Sequence, residues 1–231
     1  ARFFYRNDLQ TGLESMGARL GERLFLKGAG TMAEKAVRLT RLAGHLCDAF
    51  KLGPAVKADA QRAAAFCKSD LMSAMVGEFP ELQGVMGAYY AAARDERAEV
   101  ATAIREHYLP RFAGDDLASS PAGAVLAVAD RLDSVVTCFK AGAIPTGSKD
   151  PLALRRQAIG MLKTLIERRW VGSDLEGLVS WAEAGQSSPL SEEGREAVLS
   201  FLMERFQGIL TTEHEVPLDF TIEVGGSVTI A

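Results

Sequence analysis

The sequence is short of several things at once. Of its 231 residues only three are cysteine (Cys47, Cys67, Cys138), and no two form a CxxC pair. A scattered, odd set of thiols excludes a disulfide framework and a cysteine zinc site, and suits a reducing compartment. Histidine is equally scarce, at His45, His107 and His214. Aromatic residues make up 7% of the chain, too few for a base-stacking platform of the single-strand-binding kind. No uncharged apolar run is long enough to cross a bilayer. No GxxxxGK[ST] occurs; Gly147-Ser148-Lys149 has the letters without the preceding strand or the spacing. GxSxG is absent too. No signal peptide is visible, and the chain opens on Ala1 rather than Met, which leads us to expect a piece of a longer protein.

What remains is an ordinary globular balance. Apolar residues are 48% and charged residues 24%, with a net charge of −4 and a pI near 5.5. That composition supports a real core in one large or two modest domains. An acidic chain has no global pull towards nucleic acid, so such contact requires a local basic patch.

Helical spacing dominates, and the stretch Pro145–Lys163 organises it. Pro145 to Lys149 is a breaker loop. Asp150-Pro151 reads as an N-cap followed by proline at the first helical position. Leu154, Ala158, Met161 or Leu162, and Leu165 then give the new helix an apolar face. The expected domains are 1–144 and 145–231.

Upstream, Arg2–Arg6 reads as a strand end or apolar strap. Leu9, Leu13, Met16, Leu20 and Leu24 predict one helix up to Gly28, weakened by Gly12, Gly17 and Gly21 at roughly 1 kcal/mol each; the three glycines suggest a close helix crossing. Thr31-Met-Ala-Glu34 matches a capping box and opens a helix with Val37, Leu42, Leu46 and Phe50 on its stripe. Lys35, Arg38 and Arg41 read as its solvated side. Val56–Phe79 reads as one long helix ended by Pro80. Further helices are expected around Leu82–Tyr89 and Val100–Tyr108, from Ser120-Pro121 to Lys140, from Pro151 to near Gly172, from Ser173 to Glu183 and from Ser191 to Leu210. In the tail, Leu218, Phe220, Ile222, Val224, Val228 and Ile230 alternate around Gly225-Gly226, a hairpin pattern. The fold class is therefore all-α, with a short β-hairpin at the C-terminus.

An all-helical domain with scattered His and Asp resembles the HD metal phosphohydrolases. Those require a His, an adjacent His-Asp pair and a late Asp around a divalent ion. His45 and Asp130 suit the first and last places, but no His-Asp dipeptide exists, and the comparable helix reads Phe66-Cys67-Lys68-Ser69-Asp70. A lysine there competes with a metal. We therefore expect a degenerate HD-like scaffold with no metal and no catalytic residue; an active HD-type phosphohydrolase is the alternative. Asp130 and Asp133 otherwise read as a polar rim or as partners of Arg131. The one local basic patch spans Lys149, Arg155, Arg156, Lys163, Arg168 and Arg169, against Asp150 and Glu167. Arg168 and Arg169 suit the helix dipole without a ligand. Asp150, as a cap, already occupies the N-terminal donors that an anion would use.

Several long segments resemble the β subunit of the bacterial two-subunit glycyl-tRNA synthetase. They are Phe66–Tyr90, Glu106–Leu117, Ala127–Asp133 and Pro145–Arg156, with Ala1–Phe4 and the region from Gly30-Thr31 to Lys35 similar as well. The likeness runs through most of 1–170 and thins from Val171. It implies a much longer chain, with an HD-like helical region in its later half and an anticodon-binding module beyond. It further implies an α subunit that carries the ATP-dependent adenylate site, a β subunit that engages tRNA(Gly) and holds the assembly together, and a cytoplasmic location. In that setting the resemblance gives Lys149, Arg155, Arg156 and Lys163 a ligand, tRNA. It places no catalytic residue and no cofactor of its own on these positions; ATP is used by the whole enzyme.

Overall fold

A computed structural model describes residues 1–150, 152–170 and 174–213, with only the backbone of Glu213. Among the described residues the chain is all-α, with two isolated β-bridges and no strand. The tail hairpin expected from Leu218 onward, and His214, lie outside the described residues. The chain divides into two compact units, 1–130 and 131–231.

The first unit opens with α1 (Arg2–Thr11) and α2 (Leu13–Ala18), then a 3₁₀ turn, Leu20–Glu22. The aromatic opening is thus helical, not a strand or strap. The expected single helix to Gly28 is broken at Gly12, whose φ of 79° is a left-handed conformation that only glycine adopts freely. Leu13, Met16 and Leu20 are buried as the spacing requires, but Leu24 lies beyond the last turn and is 64% exposed. Of the three glycines, Gly17 makes a close crossing: a Cβ there would sit 2.9 Å from Ser69 Oγ.

Thr31 caps α3 (Met32–Ala49) through a full capping box with Glu34. The buried stripe of α3 runs through Leu39, Leu42, Ala43 and Leu46, while Val37 is 53% exposed. After α4 (Pro54–Phe66) the expected long helix breaks. Lys68, Ser69 and Asp70 turn inward through the 3₁₀ segment Ser69–Met72 and are buried. A continuous helix cannot aim three consecutive polar side chains at one interior. Ser73 then caps α5 (Ala74–Glu78) by accepting from Val76 N at 3.1 Å. The corner at Phe79-Pro80 leads through the 3₁₀ turn Pro80–Leu82 to α6 (Val85–Ala92) and α7 (Ala98–Glu106). On α6 it is Tyr90 that is buried, whereas Tyr89 is exposed.

Ser120 opens α8 (Pro121–Lys140): its Oγ accepts from Gly123 N at 3.0 Å and donates to Glu106 Oε2 at 2.6 Å. Burial opposes the charge on Glu106, but the donors from Ser119 and Ser120 win and hold its carboxyl below the usual range. Val125, Val128, Leu132, Val135 and Phe139 are buried along α8 as expected.

The second unit takes the end of α8, α9 (Leu154–Glu167), α10 (Leu175–Glu183) and α11 (Glu192–Glu213). Here α11 packs on α9 and α10, and Phe139 meets Phe201 with centroids 5.0 Å apart. The N-terminus of α9 differs from the sequence reading. The helix starts at Leu154 rather than at residue 151, because Ala153 is left-handed at φ 52°. Asp150 still serves as the cap, from further back: Oδ1 accepts from Leu154 N at 2.7 Å and Oδ2 from Arg155 N at 3.0 Å.

Gly84 supplies a test of this packing. It sits at φ 80°, and a Cβ there would lie 2.6 Å from Tyr108 Cδ2. Gly84→Ala adds backbone strain to a clash, so urea denaturation should show a loss of about 1–3 kcal/mol. Gly77→Ala, inside α5 with open space around it, serves as the control.

Candidate functional site

Two of the residues that sequence reasoning links to chemistry, Lys68 and Asp130, meet in the first unit. Asp130 lies on α8 and is nearly buried. Lys68 Nζ, from the turn after α4, donates to Asp130 Oδ2 at 2.6 Å. Lys35, from α3, places Nζ 2.9 Å from Asp130 Oδ1 and donates to the Asp130 main-chain carbonyl at 3.2 Å. Both lysines are buried, 2% and 4% exposed. His107, following α7, completes the group: Nε2 lies 2.9 Å from Lys68 Nζ, and Nδ1 lies 2.6 Å from the Ile104 carbonyl. A carbonyl only accepts, so Nδ1 carries the proton, and Nε2 is the bare nitrogen that accepts from Lys68. Aromatic faces close the shell, with Phe25 4.6 Å from Lys35 Nζ and Tyr108 4.2 Å from Lys68 Nζ.

The electrostatics follow. Burial opposes the charged form of Asp130, but Lys35 and then Lys68 outweigh it and hold the carboxyl well below its usual range. Cys67, beside this cluster, is a buried free thiol pushed up to about 12 by burial, so it is not a nucleophile at neutral pH.

Asp70 is a second buried carboxylate. Its Oδ2 accepts from Gly84 N at 2.6 Å and Gly87 N at 3.0 Å, tying the 3₁₀ turn to the start of α6. Its Oδ1 and the neighbouring Ser69 Oγ have no hydrogen-bond partner among the described residues. Burial pushes the Asp70 carboxyl up to about 6 against those donors and Lys68. The unfolded carboxyl titrates near 4. Between about pH 4 and 6 the folded state therefore binds the extra proton, so this group's contribution is present at low pH and lost as pH rises through that window. Asp70→Asn keeps an acceptor for Gly84 and Gly87 and removes the titration. Its denaturation midpoint should be no lower than wild type at pH 7, and flatter from pH 4 to 6.

The other candidates read from the sequence separate from this cluster. His45 is exposed on α3, ten residues and so about 15 Å along the helix from Lys35; it is not the first member of a site with Asp130. Lys35 and Arg38 are buried, not solvated, and only Arg41 is exposed. A three-residue step lags the helix by about 60° each time, so the row leaves the buried face only at Arg41. Asp133 and Arg131 are buried too, not a rim; Gln186 Nε2 approaches Asp133 Oδ1 at 3.5 Å. Sequence reasoning misses Lys35 and His107 as members of the cluster, yet register holds the clue. Lys35 is in phase with Leu39, Leu42 and Leu46, and His107 with Val100 and Ile104.

In the second unit, Lys149 is exposed in a turn where Thr146 and Lys149 exchange main-chain hydrogen bonds. On α9, Arg156 is exposed, with Arg155 and Lys163 half-buried. Arg156 and Lys163, seven residues apart, share a face, and Ile159 is 37% exposed between them. Asp150 occupies the first two N–H groups of α9, so an anion would be held by these side chains rather than by the helix end.

Does the Asp130 cluster fit a divalent ion? Both carboxylate oxygens are covered by ammonium groups, and among the described residues no group of three or more His, Cys, Asp or Glu is placed to hold a metal. The residues do not fit one. Fold and site together define an all-α protein whose buried carboxylate at Asp130 is covered by two ammonium groups.

Comparison with known proteins supplies the family. The model of the glycyl-tRNA synthetase beta subunit family matches residues 1–222. The glycine–tRNA ligase beta subunit of Syntrophomonas wolfei is 45% identical over 214 residues, covering 91% of this chain and 31% of that protein. That of Moorella thermoacetica is 52% identical over 167 residues, covering 72% and 24%. That of Geobacter sulfurreducens is 45% identical over 217 residues, covering 93% and 31%. The chain belongs to the glycyl-tRNA synthetase beta subunit family. It spans about a third of the length of the relatives it matches. Among the described residues no helix is long and apolar enough to cross a membrane.

Proposed function

We propose that the chain is the part of a glycine–tRNA ligase β subunit that contributes tRNA binding and subunit assembly to ATP-dependent glycylation of tRNA(Gly) in the cytoplasm. Its partners are the α subunit, which carries the adenylate-forming chemistry, and the tRNA. On this reading residues 1–144 are a degenerate HD-like scaffold without catalytic or metal chemistry, and 145–231 extend towards an anticodon-binding region. The observation that carries the non-catalytic half is the occupation of Asp130 by two lysines. The tRNA half is supported by the basic face of α9, where Lys149, Arg155, Arg156 and Lys163 would meet phosphates.

The test uses the whole β subunit with its α partner. Arg155→Ala with Arg156→Ala should weaken binding of tRNA(Gly) and reduce the slope of log affinity against log salt by about 1–2, since each lost phosphate contact removes about 0.7–0.9. Unchanged affinity and slope would remove RNA contact from this face. The 231-residue chain alone should form no glycyl-adenylate. Manganese-dependent phosphatase activity in it would favour a phosphohydrolase instead.

A further inference from the structure

We propose that Lys35 and Lys68 do at Asp130 what a divalent cation does in a metal-bearing helical site. They hold the carboxylate's charge and tie α3, the turn after α4 and α8 to one point, so that the unit folds without metal and turns metal away. The inference deepens the scaffold half of the function proposed above, and it stands or falls independently of whether α9 touches RNA.

The geometry is that of a coordination shell with ammonium groups at its centre. Lys68 Nζ has Asp130 Oδ2 at 2.6 Å, His107 Nε2 at 2.9 Å and the face of Tyr108 at 4.2 Å. Lys35 Nζ has Asp130 Oδ1 at 2.9 Å, the Asp130 carbonyl at 3.2 Å and the face of Phe25 at 4.6 Å. Carboxylate oxygens and a bare imidazole nitrogen, its other nitrogen fixed on a carbonyl, form the donor set a transition metal would take. Here each is spent on a lysine. A metal would have to approach these donors to about 2.0–2.2 Å, inside the space the two ammonium nitrogens fill and against their charge. Aromatic faces also suit an ammonium and offer a hard divalent ion nothing. Side chains from α3 and from the turn after α4 are tied to α8 at one carboxylate, which is the cross-linking role of a structural metal.

The experiment uses the chain as it stands. Metal content by mass spectrometry should lie far below one per chain. The melting temperature should not move with EDTA, nor with added Mn²⁺ or Zn²⁺. Lys35→Met with Lys68→Met leaves the carboxylate buried without its partners, and the melting temperature should fall by about 10 °C or more. Adding Asp130→Asn to that pair removes the stranded charge and should restore most of the loss. If the double variant does not fold, recovery of a soluble, helical triple variant carries the same result. A near-stoichiometric metal, a chelator-dependent loss of several degrees, or a triple variant no more stable than the double would overturn the proposal.

Discussion

Asp130→Asn should lower the unfolding free energy by about 3–5 kcal/mol, the usual consequence of removing one partner from a buried ion pair. In a chain of this size that is a fall in melting temperature of about 6–20 °C. The substitution changes almost no volume, so the loss comes from electrostatics. Asparagine offers Lys68 and Lys35 a weak dipole in place of a carboxylate whose oxygens lie 2.6 and 2.9 Å from the two ammonium groups. Both lysines are then buried with too little opposing charge, and they must deprotonate or drag water inward. Asp48→Asn, which removes an exposed partner of Lys57, should change stability by less than about 0.5 kcal/mol. Urea denaturation followed by far-ultraviolet circular dichroism measures both. A loss below about 1 kcal/mol for Asp130→Asn would mean that the cluster does not hold the first unit together.

The same carboxylate fixes the acid limit of the fold. Its folded pKa is well below the usual value, so the stability it provides is present above about pH 4, the unfolded value, and lost as pH falls through the folded one. Asp70 acts in the opposite direction, its folded value being raised to about 6. From pH 6 to 4 the protein should therefore gain stability from Asp70, and it should lose stability from Asp130 only at lower pH. A chain with Asp70→Asn isolates the second effect.

Most of the helical framework is legible in the residues. The capping box at Thr31 and Glu34, the Ser120-Pro121 start and the stripe from Val125 to Phe139 stand where spacing puts them, because each is a local rule acting on nearby atoms. The errors around the buried cluster share one cause. The expected long helix from Val56 to Phe79 breaks because Lys68 and Asp70 turn inward to partners outside it, Asp130 on α8 and the main-chain N–H groups of Gly84 and Gly87 at the start of α6. Hydrophobicity assigns Val37 and Tyr89 inward, and they lose those places to Lys35 and Tyr90. A lysine reads as surface unless a buried carboxylate awaits it, and that carboxylate, Asp130, lies 95 residues on. The site is legible in its negative half, the missing His-Asp pair and the lysine at 68. Its positive half, Lys35 and His107, needs the tertiary contacts.

Asp8→Ala carries the second large effect, again from a buried acid with distant partners. Asp8 sits on α1, 2% exposed. Its Oδ1 accepts from Ala74 N at 2.9 Å, and its Oδ2 accepts from Met75 N at 2.9 Å and from the Tyr90 hydroxyl at 2.8 Å. One side chain thus satisfies the open N–H groups of α5 and fixes the phenol of α6. Alanine strands three donors in the interior, each costing about 1–3 kcal/mol, partly relieved by entering water. The expected loss is about 3–5 kcal/mol. Tyr90→Phe strands no main-chain donor and should cost only about 1–1.5 kcal/mol. In the double variant the losses should sum to less than the two singles, because the hydroxyl contact is counted in both. Amide exchange gives the sharper reading: Ala74 and Met75 should lose protection in Asp8→Ala and keep it in Tyr90→Phe. Full protection at both amides in Asp8→Ala would show that α5 is held by its apolar contacts and not by the carboxylate.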